Sequence, residues 1–593
     1  MEEALHNNKI RKRFDRIFFI SLFVLGLFLA YDFNVENGKI PPPGVFYVDK
    51  AAYYVYLPFT FIYGFDVRKF PDKIDQKTFG FWLDRKHNKL VGKTTCGIAI
   101  LWSPFFLLTH AIATVFHLQP DGFSDFYAKM TILPAVFYLV LGLFFLKKFL
   151  EKYQDRVITY FTIILIFLGT NLYYYSIKEG LMSHDTLFCL IAMLLFFLKK
   201  FLDNGKKPFL LFVAISVITS FIVLIRPTGI VVLLFFLFLD THSLKEAWNR
   251  LLFFLRPRYS LTFILIIILI YSPQFIYWHY LTGKFIYYSY PGEGFENWKF
   301  PMLIPLWFSP LNGLFLYNPL SLLFLAGGIV MIVKKIPSGI FITSFFFLLS
   351  YIFSSWYSWY FGGGFGSRPF VDFYPLLAIP FAYCLDFIRK RKNLFIRTGI
   401  YFLILVSVYY NNRMMYLGSN TFPGSTWSWD DFLTKLSAAN IYKYQKTSYT
   451  FIQDFENHIY DNPEPITRDC VHSHSIASYF DSTMEINCKY TWRLQEILIK
   501  PVKRSDVTLW INPVKNDKTG ACLVCSIEDD MHISHYYKTF NFDDFNTRSG
   551  QWNRIHTIVE IPDRIDQYCT IIFYIHNSNK TKFFVDDMKI KFD

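Results

Sequence analysis

The sequence predicts a polytopic α-helical membrane protein of about eleven transmembrane helices, followed by an all-β domain of jelly-roll or sandwich type. Three observations lead there. Long apolar blocks fill the first two-thirds of the 593 residues. Basic residues gather in the short stretches between those blocks. Beyond about residue 411 the pattern changes to short alternating runs separated by polar turns. Composition agrees: 53% of the residues are hydrophobic and 18% charged, against about 25% charged in a soluble domain. One large soluble enzyme and a disordered chain are both excluded. Sixty basic and 46 acidic residues give a net charge of +14. The excess lies in the loops where orientation signals act, so no nucleic-acid partner is expected.

The first apolar block, Ile17–Ala30, follows Lys9, Arg11, Lys12, Arg13 and Arg16. Membrane-length blocks continue after it, so it reads as an uncleaved first span with a cytoplasmic N-terminus rather than a signal peptide. Further blocks lie near 130–146, 157–175, 185–201, 208–225, 228–240, 261–280, 316–333, 340–355, 370–388 and 395–411. One more, at 98–117, is decided by parity. If it does not cross, the clusters around Lys147/Arg156, Lys199/Lys207, Lys245/Arg258, Lys334/Lys335 and Arg389/Arg397 all face the side of the N-terminus. If it crosses, all of them face away. The positive-inside rule selects the first case. Residues 98–117 then lie along the outer surface or re-enter, inside a long first outer loop of about residues 31–129.

The expected organisation is a membrane domain over 1–411, a linker or helix over 412–449 carrying Trp427 and Trp429, and an extracytoplasmic β-domain over 450–593. Strand-like runs in the last part include Val507–Ile511, Ala521–Ile527, His556–Ile561, Thr570–Ile575 and Phe583–Ile590. Trp510, Trp552 and Tyr490 are rings that either stack on sugars or fill the core. Cys522 and Cys525 form a lone C-x-x-C, which reads as buried thiols or a disulfide, and no metal site is expected.

Ionisable residues near membrane depth are the functional candidates. Asp49 stands in VDKAAYYVYLP, and Lys93 precedes the block at 98–117. Glu179, His184 and Asp185 cluster in KEGLMSHDTLF, Arg226 opens RPTG, and Arg368 lies in WYFGGGFGSRPFVD. All seven are expected on the outer side. Five also have a structural reading: Asp49 or Asp185 as a helix cap, Lys93 or Arg226 as an interfacial anchor, Arg368 as a partner of Asp372. Together, carboxylates and cations at one membrane face suit proton removal from a hydroxyl and charge stabilisation of a phosphate leaving group.

On these residues the chain resembles the GT-C superfamily of polyprenyl-phosphate-sugar-dependent glycosyltransferases, near the protein O-mannosyltransferases and the lipid A aminoarabinose transferase. The likeness covers about residues 1–411. It implies that Asp49, ahead of an aromatic YYVYL helix, is the first-loop catalytic base, with Lys50 where relatives often carry a second acid. It makes Lys93, in GKTTCGIAILWSPFF, a phosphate contact, although the prolines of the relatives are absent. Asp185, or alternatively His184, matches the acid opening a later span. SPLNGLFLYNP and the glycine-rich segment make Arg368 a candidate for binding phosphate or an acidic group. Tyr53 and Tyr54 are candidate sugar-stacking rings. The ending FFVDDMKIKFD resembles carbohydrate-binding modules. The implied activity is inverting transfer of a monosaccharide from a polyprenyl-phosphate donor to a hydroxyl of a protein, glycolipid or polysaccharide, at the outer face of a bacterial inner membrane. No cofactor is expected to be required, though a divalent metal serves some relatives. A ligase or polymerase using diphosphate-linked oligosaccharide, and a transporter of lipid-linked sugar, are the alternatives.

Overall fold

The computed structural model describes residues 2–36, 46, 49–74, 80–290, 293–362, 364–417, 428–429, 432–433, 436, 449–453, 466–467, 470–472, 477–494, 503–515, 518–528, 534–562, 565 and 569–592. The chain divides into two compact units, Met1–Thr434 and Lys435–Asp593. Most of the expected linker, Trp427 included, lies outside the described residues.

The first unit is a multi-pass helical assembly. Among the described residues, six helices are long and apolar enough to cross a membrane: Lys9–Asp32, Gly97–Val115, Asp125–Leu150, Pro257–Thr282, Arg368–Arg389 and Leu394–Met415. Five more apolar helices run 10–17 residues: Arg156–Gly169, Phe209–Ile225, Pro227–Phe238, Pro319–Val333 and Gly339–Ser354. These reach at most about 26 Å, short of the roughly 30 Å of hydrocarbon. His184–Asp203 is a 20-residue helix buried along most of its length. Six of these helices have full membrane length, so the eleven expected spans are not confirmed. Several blocks leave α geometry at one end, through a π turn at Tyr174–Lys178 and 3-10 turns at Pro227–Val232, Pro319–Ser321 and Arg368–Phe373. A hydropathy window averages side chains over many residues and does not register such a change of backbone geometry.

Ion pairs show which helix ends share a face. Asp15 binds Lys147 at 2.5 Å, accepts from the Tyr160 hydroxyl at 2.5 Å and pairs with Arg156. Lys199 reaches Asp240 at 3.0 Å, and the Tyr153 hydroxyl donates to the same carboxylate at 2.8 Å. Arg389 pairs with Asp155 and, at 2.7 Å, with Asp386. The start of the first helix and the end of Asp125–Leu150 thus lie at one face. The chain between Ala30 and Asp125 accordingly begins and ends at the other. Helix Gly97–Val115 lies beside the first half of Asp125–Leu150: the Tyr138 hydroxyl donates to Leu101 O at 2.8 Å, and His110 Nδ1 hydrogen-bonds the Tyr127 hydroxyl at 2.6 Å. A two-stranded hairpin, β1 (Phe81–Asp84) and β2 (Lys89–Gly92), precedes it.

The second unit is all β. Its strands are β3 (Tyr449–Gln453), β4 (Ile466–Thr467), β5 (Ala477–Phe480), β6 (Ile486–Arg493), β7 (Arg504–Pro513), β8 (Ala521–Glu528), β9 (Ser534–Asn541), β10 (Asn553–Glu560), β11 (Thr570–Asn577) and β12 (Phe583–Phe592). One antiparallel sheet has the order β10-β7-β12-β5-β4, with β3 also on β12; the other has the order β6-β11-β8-β9. Alternation turns Val507, Leu509 and Ile511 of β7 inward, and Ile571, Phe573 and Ile575 of β11 inward. Both sets join one apolar cluster, so the two sheets share a core as a sandwich does. Cys522 and Cys525 are free thiols buried in β8, and burial pushes both thiol pKa values up.

Candidate active site

Asp49 opens a short helix, Asp49–Tyr54, whose Ala51, Ala52, Tyr53 and Tyr54 are buried. That burial anchors the helix and leaves its first residue at the edge of the bundle. Arg368 Nη2 donates to Asp49 Oδ2 at 3.1 Å. Burial alone would raise the Asp49 carboxyl, but Arg368, Lys93 and Arg226 outweigh it and hold it below the usual aspartate range. Arg368 therefore does not pair with Asp372, the structural partner considered from the sequence. Asp372 instead accepts from Arg226 Nη1 at 3.1 Å and from His184 Nδ1 at 2.8 Å. Arg226 Nη2 approaches His184 Nε2 at 3.3 Å. A guanidinium can only donate, so Nε2 is the acceptor and Nδ1 carries the proton that Asp372 receives. Arg226, read as an interfacial anchor, is in fact bound inside a buried network, where it also contacts the Tyr53 hydroxyl.

The loop bearing Arg368 is held by amides. Asn312 Nδ2 donates to Tyr360 O at 2.9 Å and to Gly362 O at 2.8 Å. Asn171 Nδ2 donates to Phe365 O at 3.0 Å, and the Tyr374 hydroxyl donates back to Asn171 Oδ1 at 2.6 Å. Gly366 has φ +64°, and a Cβ there would meet Asn318 Nδ2 at 2.4 Å. Glycine is required on both counts. Asn312 of SPLNGLFLYNP thus holds the loop ahead of the arginine, and Asn318 packs against Gly366.

Lys93 follows directly on β2. Gly92 N donates to the Tyr277 hydroxyl at 3.1 Å, and the Tyr56 hydroxyl donates to Thr94 O at 2.6 Å. These bonds clamp the chain on both sides of Lys93. Its Nζ meets Glu293 Oε1 at 2.5 Å and sits 5.1 Å from the Tyr290 ring centre. Glu179, after the π turn, pairs with Lys50 at 2.8 Å, beside the residue that carries the candidate base.

Asp49 with Arg368, Lys93 with Glu293, and Arg226 with Asp372 and His184 are three bonded groups whose cations all act on the Asp49 charge, and Glu179 pairs with Lys50, the next residue after Asp49. Asp185 turns elsewhere: it is fully buried, its Oδ1 accepts from Thr186 N at 2.7 Å, and its Oδ2 has no hydrogen-bond partner among the described residues. Tyr54 is not available for stacking. It is 3% exposed, packs against Phe46 and Phe106, and donates its hydroxyl to Gly122 O at 2.6 Å. Tyr53 is likewise buried but contacts Arg226. In the β unit, Trp510 stacks on His472 at 4.0 Å, so one face of its ring is taken. Trp552 meets the same imidazole edge-on and donates Nε1 to Val471 O at 3.0 Å. Tyr490 packs on Phe451.

Two site residues escaped the sequence reading. Glu293 lies in a loop with no motif of its own, and Asp372 stood out only as a partner for Arg368. No signal in the sequence joins Glu293 to Lys93, 200 residues earlier. Among the described residues, no three His, Cys, Asp or Glu side chains come together as ligands of one metal ion.

No protein-family model and no curated protein matches the sequence. Among solved structures, the archaeal oligosaccharyltransferase AglB from Archaeoglobus fulgidus, in complex with an inhibitory peptide and a dolichol-phosphate, is similar over 72% of this chain and 58% of its own, at 11% identity and a TM-score of 0.39. The CBM22-1 xylan-binding domain of Paenibacillus barcinonensis Xyn10C is similar over 21% of this chain and 78% of its own, at 12% identity and a TM-score of 0.16. Likenesses of this level carry no functional conclusion.

Proposed function

We propose that this protein is an inverting glycosyltransferase that moves a monosaccharide from a polyprenyl-phosphate donor to a hydroxyl acceptor at the outer face of a bacterial inner membrane. The observation that carries the reading is the Asp49 carboxylate bound by Arg368 at 3.1 Å, with the charges of Lys93 and Arg226, drawn from separate segments, also favouring its ionised form. A base and a set of cations in one place fit both halves of the reaction.

Asp49 accepts the proton of the acceptor hydroxyl. The acceptor oxygen attacks the anomeric carbon as the bond from that carbon to the phosphate oxygen breaks, and its electron pair leaves with the phosphate. Attack from the opposite side inverts the configuration. The donor is a phosphodiester with one charge, whereas the departing lipid phosphate is a monoester approaching two. That added charge develops in the transition state, where Arg368, Lys93 and Arg226 stabilise it more than in the ground state. Arg368 also keeps Asp49 ionised and oriented. The acceptor is a protein, a glycolipid or a glycan, and the β unit is proposed to present it.

The test is transfer by purified protein in lipid, using radiolabelled polyprenyl-phosphate sugars and an Asp49→Asn control. We expect release of lipid phosphate to fall about 10²- to 10⁴-fold in the variant, in line with loss of a general base. Full transfer by folded Asp49→Asn would remove the base assignment. Turnover only with an oligosaccharide diphosphate would move the donor to that class.

A further inference from the structure

The candidate active site balances its own charge. Lys50, Lys93, Arg226 and Arg368 stand against Glu179, Glu293, Asp372 and Asp49 in four ion pairs. A phosphate entering such a site needs a cation that gives up its carboxylate. The four pairs differ in how readily they can do so. Arg226 is held by an Asp372 whose side chain is 5% exposed, and Arg368 holds the base itself. Lys93 is the most exposed of the four cations, at 37%, and binds through a single flexible ammonium.

We infer that Glu293 is an electrostatic placeholder: its carboxylate occupies Lys93 until the phosphate of the lipid donor displaces it. This rests on the proposed donor class. The surroundings suit such an exchange on both sides. Lys93 would keep its place over the Tyr290 ring, and Ser289 Oγ donates to Lys93 O at 2.6 Å, which fixes the backbone. Glu293 would keep the Tyr357 hydroxyl as a partner, so its carboxylate is not orphaned when the lysine leaves. The main chain around Glu293 is pinned independently: the Tyr288 hydroxyl donates to Glu293 O at 2.5 Å and Tyr357 N donates to Gly294 O at 2.8 Å. The exchange is thus a side-chain movement. A neutral lipid has no means of displacing the carboxylate, so Glu293 also discriminates against ligands without a phosphate.

The test is equilibrium binding of undecaprenyl phosphate, with the uncharged polyprenol as control, to the full-length protein in phospholipid nanodiscs. Glu293→Gln should bind the phosphate roughly fivefold tighter than wild type, the scale of one partly exposed ion pair. Glu293→Asp should resemble wild type, and polyprenol binding should not change. Adding Lys93→Met to Glu293→Gln should erase the gain, since the two act on one another. Unchanged or weaker phosphate binding by Glu293→Gln, with wild type binding normally and the variant unfolding at the same temperature, would overturn the placeholder alone. Phosphate binding by neither protein would overturn the donor class and the placeholder with it.

Discussion

Asp49 is held ionised by a cation rather than by water, and that has a consequence for pH. Its folded pKa lies below the ordinary 3.8. A depressed carboxyl binds its proton less readily in the folded chain than in the unfolded one. The stabilisation it brings is therefore complete above its ordinary pKa and is lost as the pH falls through the lower folded value. Arg368 supplies the largest share of the depression. Arg368→Met should then raise the Asp49 pKa and move the acid limb of the pH–rate profile upward. An arginine acting on phosphate alone would lower the rate at every pH and leave that limb in place. Arg368→Lys should keep the limb near its wild-type position, because a charge remains beside the carboxylate. The sequence disclosed the residue types and a common membrane side. Which carboxylate met which cation depended on contacts between residues 319 positions apart, as for Arg368 and Asp49.

The elements that carry these residues depend on close helix contacts. A Cβ on Gly327 would lie 1.8 Å from the carbonyl oxygen of Pro380, in the neighbouring helix Tyr374–Arg389. A Cβ on Gly142 would lie 2.9 Å from Cys189 Cα. Small residues let backbones approach where lipid offers no hydrophobic drive for association. Helix Tyr374–Arg389 continues directly from the turn Arg368–Phe373, which bears Arg368 and Asp372. Gly327→Ala should therefore lower both thermal stability in detergent and transfer, with a stability cost of about 1–3 kcal/mol for overpacking. Gly399, with nothing near its Cβ position, is the matched control and should tolerate alanine. Retained stability in Gly327→Ala would show that the two helices can separate without cost. Hydropathy located these helices well. It gave no sign of the π and 3-10 turns at their ends, since those turns are produced by tertiary packing around Tyr175, Asn318 and the glycine-rich loop.

For the molecule as a whole, the ion pairs of Asp15, Lys147, Arg156, Lys199 and Arg389 bring the basic clusters to one face. The orientation proposed from the positive-inside rule puts that face in the cytoplasm. An alkaline phosphatase fused after Asp593 should be active in the periplasm, and one fused at Gly205, in the loop between His184–Asp203 and Phe209–Ile225, should be inactive. The reverse activities would invert the orientation and put Asp49 on the cytoplasmic side, where a flipped lipid donor is not presented. Each of the two units has an apolar cluster of its own.

The sequence by itself determined that the chain enters a membrane repeatedly, that its tail is β-structured, and that a small set of charged residues lies near one face. These properties are local: hydrophobic blocks, charge spacing and strand alternation each act over at most a few tens of residues. Only the tertiary structure decided that Arg368 serves Asp49 while Asp372 serves Arg226 and His184, that Asp185 and Tyr54 turn away, and that Glu293 closes on Lys93 from 200 residues further along. Those choices follow from which helix ends pack together and from the need to pair every charge removed from water. Neither quantity is written in any single stretch of the chain.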